Sequence, residues 1–333
     1  MTAHRDLKRI IRARQQKTSE SYTTARAHVL RDRAALLGPS AHASAEPVRA
    51  DAAVLKVNRQ SARVRILGEN GEVTFRSRDA WNVVPGQLAT LVIEKRWTWR
   101  DDAYASGRIE RPRIAVDELG LAPLPLEGGE LENLQFGVEP YRAPDPYARL
   151  WRKLTAKPRA CFEMDAIAWG DLPGIDPEEN PTCEAAERAA AGDREGAWEL
   201  LMEALCRDLR CIDAHAHLGN LEFDHRPQRA ILHYEVGMRI AELSLPPMFD
   251  GVLRWGQIYN RPFLRCLHGY GLCLWRLGRL PEAELVFERI LALNPNDEQG
   301  VRFCWHDVCR GRSWDEMQAG EEAARDALAS NPQ

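Results

Sequence analysis

The stretch Tyr270 to Pro295, YGLCLWRLGRLPEAELVFERILALNP, decides the reading of this chain. Gly271 follows the bulky Tyr270, and Leu274 lies three residues further on. Gly278 is placed to end a first helix, because only glycine enters the left-handed region without cost. Ala283 and Phe287 lie four apart, on one face of a second helix. Pro295 cannot continue that helix. Small residues at Gly271 and Ala283 allow two antiparallel helices to touch, and Phe287 fills the space beside them. The segment is therefore read as one helical hairpin.

This order of small, large and breaking residues resembles the tetratricopeptide repeat, a helical hairpin of about 34 residues. The departures are Leu267, Tyr270 and Leu274, all bulky where the family skeleton has Trp, Leu and Tyr. Such a hairpin cannot bury its apolar face alone, so neighbours are expected. Residues 178–210 carry Ala185, Gly192, Ala197, Leu201 and Ala204 at nearly the same spacings. A unit from Ile212 carries Leu218, Gly219, Ala230, Tyr234 and Gly237, and a degraded unit starts near Glu298 with Trp305 and Val308. Residues 178–330 are read as an α-solenoid of such hairpins, with an insertion at 245–263 that Pro246 and Pro247 open. The resemblance implies a scaffold that takes a protein partner in a groove lined by each unit's first helix. Mapped onto this chain, the groove residues are Asn220, Arg265, His268, Leu272, Trp275, Arg276, Arg302, His306 and Arg310. Asp213, Phe223 and Asp224 share the corresponding face of the second unit. Cations with an apolar floor suit an acidic peptide, since arginine holds a carboxylate through paired hydrogen bonds.

Ahead of the solenoid the period changes. Residues 1–37 read as a basic helical hairpin, carrying nine basic against three acidic residues up to Arg33, and residues 38–50 as a linker rich in small residues. Residues 51–113 alternate apolar and polar over five segments, AAVLKV, SARVRIL, EVTFRS, QLATLVIEKRWTW and AYASGRIE. Five short strands with turns at Asn70-Gly71 and Pro85-Gly86 predict a small antiparallel β-barrel of the oligonucleotide-binding or SH3-like kind. Residues 114–177 read as an extended connection with one short helix from Tyr147 to Leu154, docked through Trp151. The fold class is thus a multidomain α+β chain.

Charge divides along the same line. Residues 1–113 carry 22 Lys and Arg against 12 Asp and Glu, whereas the whole chain is −4. A basic front half points to an anionic partner. On the barrel, Arg63, Arg65, Arg76, Lys95 and Arg96 accompany Trp97 and Trp99, which lie two apart on one strand and so face one side. Aromatics among arginines are what single-stranded nucleic acid needs.

A third class of function is weaker. Asp213, His215 and His217 spell the D-x-H-x-H metal motif of the amidohydrolases. That family needs a (β/α)8 barrel of about 250 residues, and too little chain follows. On a helix, residues two apart diverge by about 200°, so the two histidines do not share one ion. The eight cysteines form no C-x-x-C pair and read as reduced, packed side chains without zinc. No phosphate loop, G-x-S-x-G or H-E-x-x-H occurs. No apolar run approaches the roughly 18 residues that span a bilayer. The leading expectation is a cytoplasmic, non-enzymatic adaptor with a protein partner, no cofactor, no metal and no membrane contact. The alternative is a nucleic-acid-associated factor using the basic helices and barrel.

Overall fold

The computed structural model describes residues 47–134, 145–167 and 180–329. The basic hairpin read at 1–37 lies outside the described residues, as does most of the linker. Five strands form a closed barrel: β1 (Val48–Asn58), β2 (Ser61–Ile66), β3 (Val73–Arg76), β4 (Leu88–Trp99) and β5 (Asp102–Arg113). Alternation works as expected on β2, where Ala62, Val64 and Ile66 are buried while Arg65 is exposed. On β1 the run Ala52-Ala53-Val54-Leu55 is buried throughout. One face fills the barrel, and Leu55 belongs to a core that continues into Leu201, Leu205 and Leu218 of the helical half.

The barrel order is β1-β2-β3-β5-β4, and it corrects the wholly antiparallel expectation. β3 and β5 pair in parallel, with Val73 opposite Ala103 and Arg76 opposite Ser106. Between β3 and β4 the chain makes a 3-10 helix, Arg78–Asn82, capped by the Ser77 hydroxyl accepting from the Asp79 amide at 3.1 Å. Pro85-Gly86 then turns tightly against the helices. A methyl group on Gly86 would lie 2.3 Å from Val236 Cγ1, so only glycine fits there.

The connection read as extended contributes more than a helix. β6 (Leu126–Glu132) and β7 (Arg159–Met164) pair, and β7 pairs in parallel with β8 (Val252–Leu253). β8 lies inside the 245–263 insertion, which therefore clasps the connection to the helices. Asn260 is fully buried at the centre of this clasp. Its side chain donates to the Phe162 carbonyl at 2.9 Å and accepts from the Met164 amide at 2.9 Å. Arg159 donates to the carbonyls of Ala292 (2.7 Å) and Asp250 (2.6 Å).

Helix α1 (Tyr147–Leu154) buries Tyr147, Ala148 and Trp151 in a second core with Leu253, Phe263 and Leu264, and the Tyr147 hydroxyl donates to the Pro295 carbonyl at 2.7 Å. Eight further described helices follow as hairpins. They are α2 (Pro181–Ala190) with α3 (Arg194–Arg207), α4 (Ile212–Phe223) with α5 (Pro227–Glu242), α6 (Arg261–Arg276) with α7 (Leu280–Leu293), and α8 (Val301–Cys309) with α9 (Trp314–Ala329). The first helices α2, α4, α6 and α8 are neighbours in succession. Residues from Arg49 onward form one compact unit.

The deciding stretch folds as its residues require. Gly278 takes φ +75° at the α6–α7 turn, and Ala283 and Phe287 are fully buried. A Cβ on Gly271 would stand 2.6 Å from Phe287 Cε1. Gly271→Leu should therefore overpack the α6–α7 contact and cost about 1–3 kcal/mol or more. The check is the thermal midpoint, and an unchanged value would mean that the two helices do not meet at this position.

Candidate functional site

Three surfaces gather candidate residues, and the first is the barrel's outer face. Strand register sets Arg63 opposite Thr74, Thr74 opposite Tyr104, and Tyr104 opposite Trp97, one row across four strands. The adjacent row is Ser61, Arg76, Ser106 and Lys95. Trp97 and Tyr104 stack with centroids 5.6 Å apart and planes 12° apart, and the Arg76 guanidinium lies 5.6 Å from both centroids. Among the described residues no carboxylate pairs with Arg76. Arg63 donates to Glu72 at 2.8 Å and to Thr74 at 3.2 Å, and Glu72 holds its guanidinium pKa above the ordinary value. Arg65 lies 3.9 Å from the same carboxylate.

At the end of this face Trp99 is 56 % exposed, with Arg100 over its ring at 4.5 Å. The hairpin turn there is Arg100-Asp101, with φ of +50° and +64°. Two-residue hairpins favour this geometry but ordinarily use Asn-Gly. Non-glycine residues in left-handed backbone cost about 1–2 kcal/mol each, and such strain clusters at functional positions. Arg63, Arg65, Arg76, Lys95, Trp97 and Trp99 thus share one face. Arg96 does not: it lies opposite Ala105 and holds Glu69 through two bonds of 2.7 and 2.8 Å. Tyr104, the ring that completes the aromatic pair, was not singled out from the sequence. Its Ala-Tyr-Ala setting gives no local signal.

The second surface is the face shared by α4 and α6. A depression of about 430 Å³ brings Asn220, Arg265, His268 and Leu272 together, with Phe223, Tyr234 and the insertion's Trp255. Arg265 is already paired with Asp213 at 2.8 Å. Burial works to raise the Asp213 carboxyl, and His217 and Arg265 more than offset it, so its pKa lies below the ordinary value. Burial pulls His268 down to about 4, which leaves it neutral.

The remaining groove residues stand elsewhere. Trp275 is buried, its indole N–H donating to the Arg312 carbonyl at 2.8 Å and its ring meeting Trp314 edge-on. Arg276 caps the end of α4 through the carbonyls of Phe223 and Asp224 at 2.8 and 2.9 Å. Arg302 pairs with Asp297 at 3.1 Å and lies 3.6 Å from Asp145, and His306 lies 3.7 Å from Asp145. Arg310 is exposed.

The third surface was missed from the sequence. Trp81, from the barrel's 3-10 helix, meets Trp198 of α3 with centroids 5.4 Å apart and planes tilted by 33°. They wall a cleft of about 700 Å³ with Asn58, Arg59, Arg194, Glu222 and Arg226. Arg229 lies 4.3 Å over Trp81 and donates to the Trp81 carbonyl. Burial pulls its guanidinium down to about 10. Glu222 Oε1 lies 3.5 Å from Arg229 Nε and 3.7 Å from Arg226 Nη1. Glu222 Oε2, Arg229 Nη2 and both ring nitrogens of His233 are buried without a hydrogen-bond partner. Buried polar groups are ordinarily satisfied, so this cluster calls for an explanation. The two tryptophans are 117 positions apart, too far for any local pattern to join them.

The Asp213-x-His215-x-His217 motif lies on helix α4. His215 is fully buried, with Nε2 3.2 Å from the Leu209 carbonyl, whereas His217 lies 3.5 Å from Asp213. Among the described residues no three His, Cys, Asp or Glu side chains are grouped to hold a metal. All eight cysteines are free thiols. Among the same residues no helix is long and apolar enough to cross a membrane. No family model, curated protein or solved structure matches this chain.

Proposed function

We propose that this chain is a nucleic-acid-associated factor that holds a single strand on the outer face of its barrel. The observation that carries this reading is the Arg63, Thr74, Tyr104, Trp97 row with Arg76 across both rings. Bases stack on aromatic side chains of any sequence context, and neighbouring cations neutralise the phosphates. The strand order β1-β2-β3-β5-β4, with β3 and β5 parallel, supports it, because oligonucleotide-binding barrels are five-stranded Greek-key barrels that use the β2–β3 face and the β4–β5 loop. Trp99 and the strained Arg100-Asp101 turn occupy that loop. Among the described residues Arg65 lies 3.9 Å from Glu72, and no carboxylate pairs with Arg76, Lys95 or Arg100.

The helical hairpins, similar to tetratricopeptide repeats, are the docking element of this factor. The depression between α4 and α6 supports a non-enzymatic adaptor role in which a partner segment lies over Leu272 and Trp255. Because Arg265 is already neutralised by Asp213, apolar anchoring and hydrogen bonds to Asn220 dominate there, rather than capture of a carboxylate.

The barrel reading is tested by fluorescence anisotropy with a labelled single-stranded oligonucleotide at low salt. Replacing Trp97 and Trp99 together by alanine should weaken binding by about 1–3 kcal/mol per base lost. The barrel should stay folded, since neither ring belongs to its buried core. Affinity should fall linearly on a logarithmic salt scale. Wild-type protein that binds no strand at low salt would overturn the reading.

A further inference from the structure

The Trp81–Trp198 cleft is built for a ligand that the barrel face does not explain. Its chemistry has three parts. An indole pair offers a flat apolar wall. Glu222, 6 % exposed, lines the cleft, and its buried Oε2 accepts from nothing. Arg59, exposed in the β1–β2 turn, and Arg226, at the start of α5, stand at its mouth. An inorganic anion would satisfy the arginines and leave the indoles and the carboxylate unused. An organic cation would meet Arg229 already seated on Trp81. A planar ring that carries a hydrogen-bond donor and is joined to an anion uses all three.

We propose that this cleft binds a nucleoside phosphate, its base against Trp81 and Trp198, a base N–H donated to the Glu222 carboxylate, and its phosphate held by Arg59 and Arg226. The cleft's volume of about 700 Å³ is in the ordinary range for small-molecule sites. Glu195 and Glu199 also line it and repel excess negative charge, which favours a monophosphate over a triphosphate. The buried Glu222–Arg229 pair then acts as a preset acceptor. Arg229 Nε lies 3.5 Å from Glu222 Oε1 and fixes the carboxylate from one side.

The unit recognised is either a free nucleotide or the phosphorylated end of a strand, and the test separates the two. Calorimetric titrations of the full chain would use AMP, CMP, GMP and UMP, and then a 5′-phosphorylated dinucleotide. One-to-one binding of at least one of these probes is expected. Arg59→Glu should weaken it by about tenfold, in line with loss of a charge-assisted contact. Trp198→Ala should weaken it by at least as much. Arg59→Glu lies in an exposed turn and keeps the test valid if Trp198→Ala fails to fold. Replacing Trp97 and Trp99 should leave this binding unchanged, so failure here is distinguishable from failure of the barrel reading. Binding of the dinucleotide alone would assign the site to strand ends. Binding by none of the five probes, or binding that survives both cleft substitutions, would overturn the proposal.

Discussion

Exchanging Arg302 for glutamate should destabilise the chain by about 3–5 kcal/mol, the cost of breaking a buried ion pair from one side. The Asp297 side chain is 1 % exposed and receives Arg302 Nη1 at 3.1 Å. The same carboxylate caps α8, accepting the Val301 amide at 2.6 Å and the Arg302 amide at 3.2 Å. Burial already holds the Asp297 carboxyl above its ordinary pKa, against the pull of those bonds. Arg302 also reaches towards Asp145, whose carboxylate accepts the Tyr147 amide at the start of α1. A glutamate would set a third carboxylate against these two and leave Asp297 without its cation. The sequence reading treats Arg302 and Arg276 as groove cations. The structure makes both of them clasps between elements. Denaturant midpoints of the wild type and Arg302→Glu decide the matter, and equal midpoints would mean that residue 302 is a solvated surface position.

Acidification should weaken the fold well before its carboxylates titrate. Burial pulls His215 down to about 4 in the folded chain, and an unfolded histidine titrates near 6.5. Between those values the unfolded chain binds a proton that the folded chain refuses, so stability falls as pH falls. At about 1.4 kcal/mol per unit, His215 alone removes about 3 kcal/mol across that window. His233 acts in the same sense, held far below its ordinary value by burial and then by Arg229. Both of its ring nitrogens are buried and unpartnered, so His233→Leu removes a desolvation cost as well as a titration. The variant should be at least as stable as wild type near neutrality and should gain on it towards about pH 5. Urea unfolding over this range is the measurement. A wild-type stability that stays flat between about pH 6.5 and 5 would show that these histidines accept protons inside the fold.

The parts of this protein legible in its sequence are those written over short distances. Gly271, Gly278, Ala283 and Phe287 mark a helical hairpin because all four lie within seventeen residues of chain. Ala62, Val64 and Ile66 mark a strand because the pleat repeats every second residue. Trp97 and Trp99 belong to one face for the same reason. Arg63, Arg65, Arg76 and Lys95 join them because register carries strand periodicity across the sheet.

What tertiary structure alone decided was written over long distances. The insertion at 245–263 became a clasp because Val252 pairs with Cys161, and the fully buried Asn260 bonds Phe162 and Met164. Arg265, Arg276 and Arg302 of the expected groove became internal partners because Asp213, Asp145, Asp297 and the end of α4 were folded against them. The Trp81–Trp198 cleft lies between the barrel and the helices, where the Gly86 turn also seats against Val236 and beside His215. Residue type and local period determine which side chains form a helix or a strand face. Which charge meets which, and which two indoles share a wall, is set by the packing of segments that no local pattern relates.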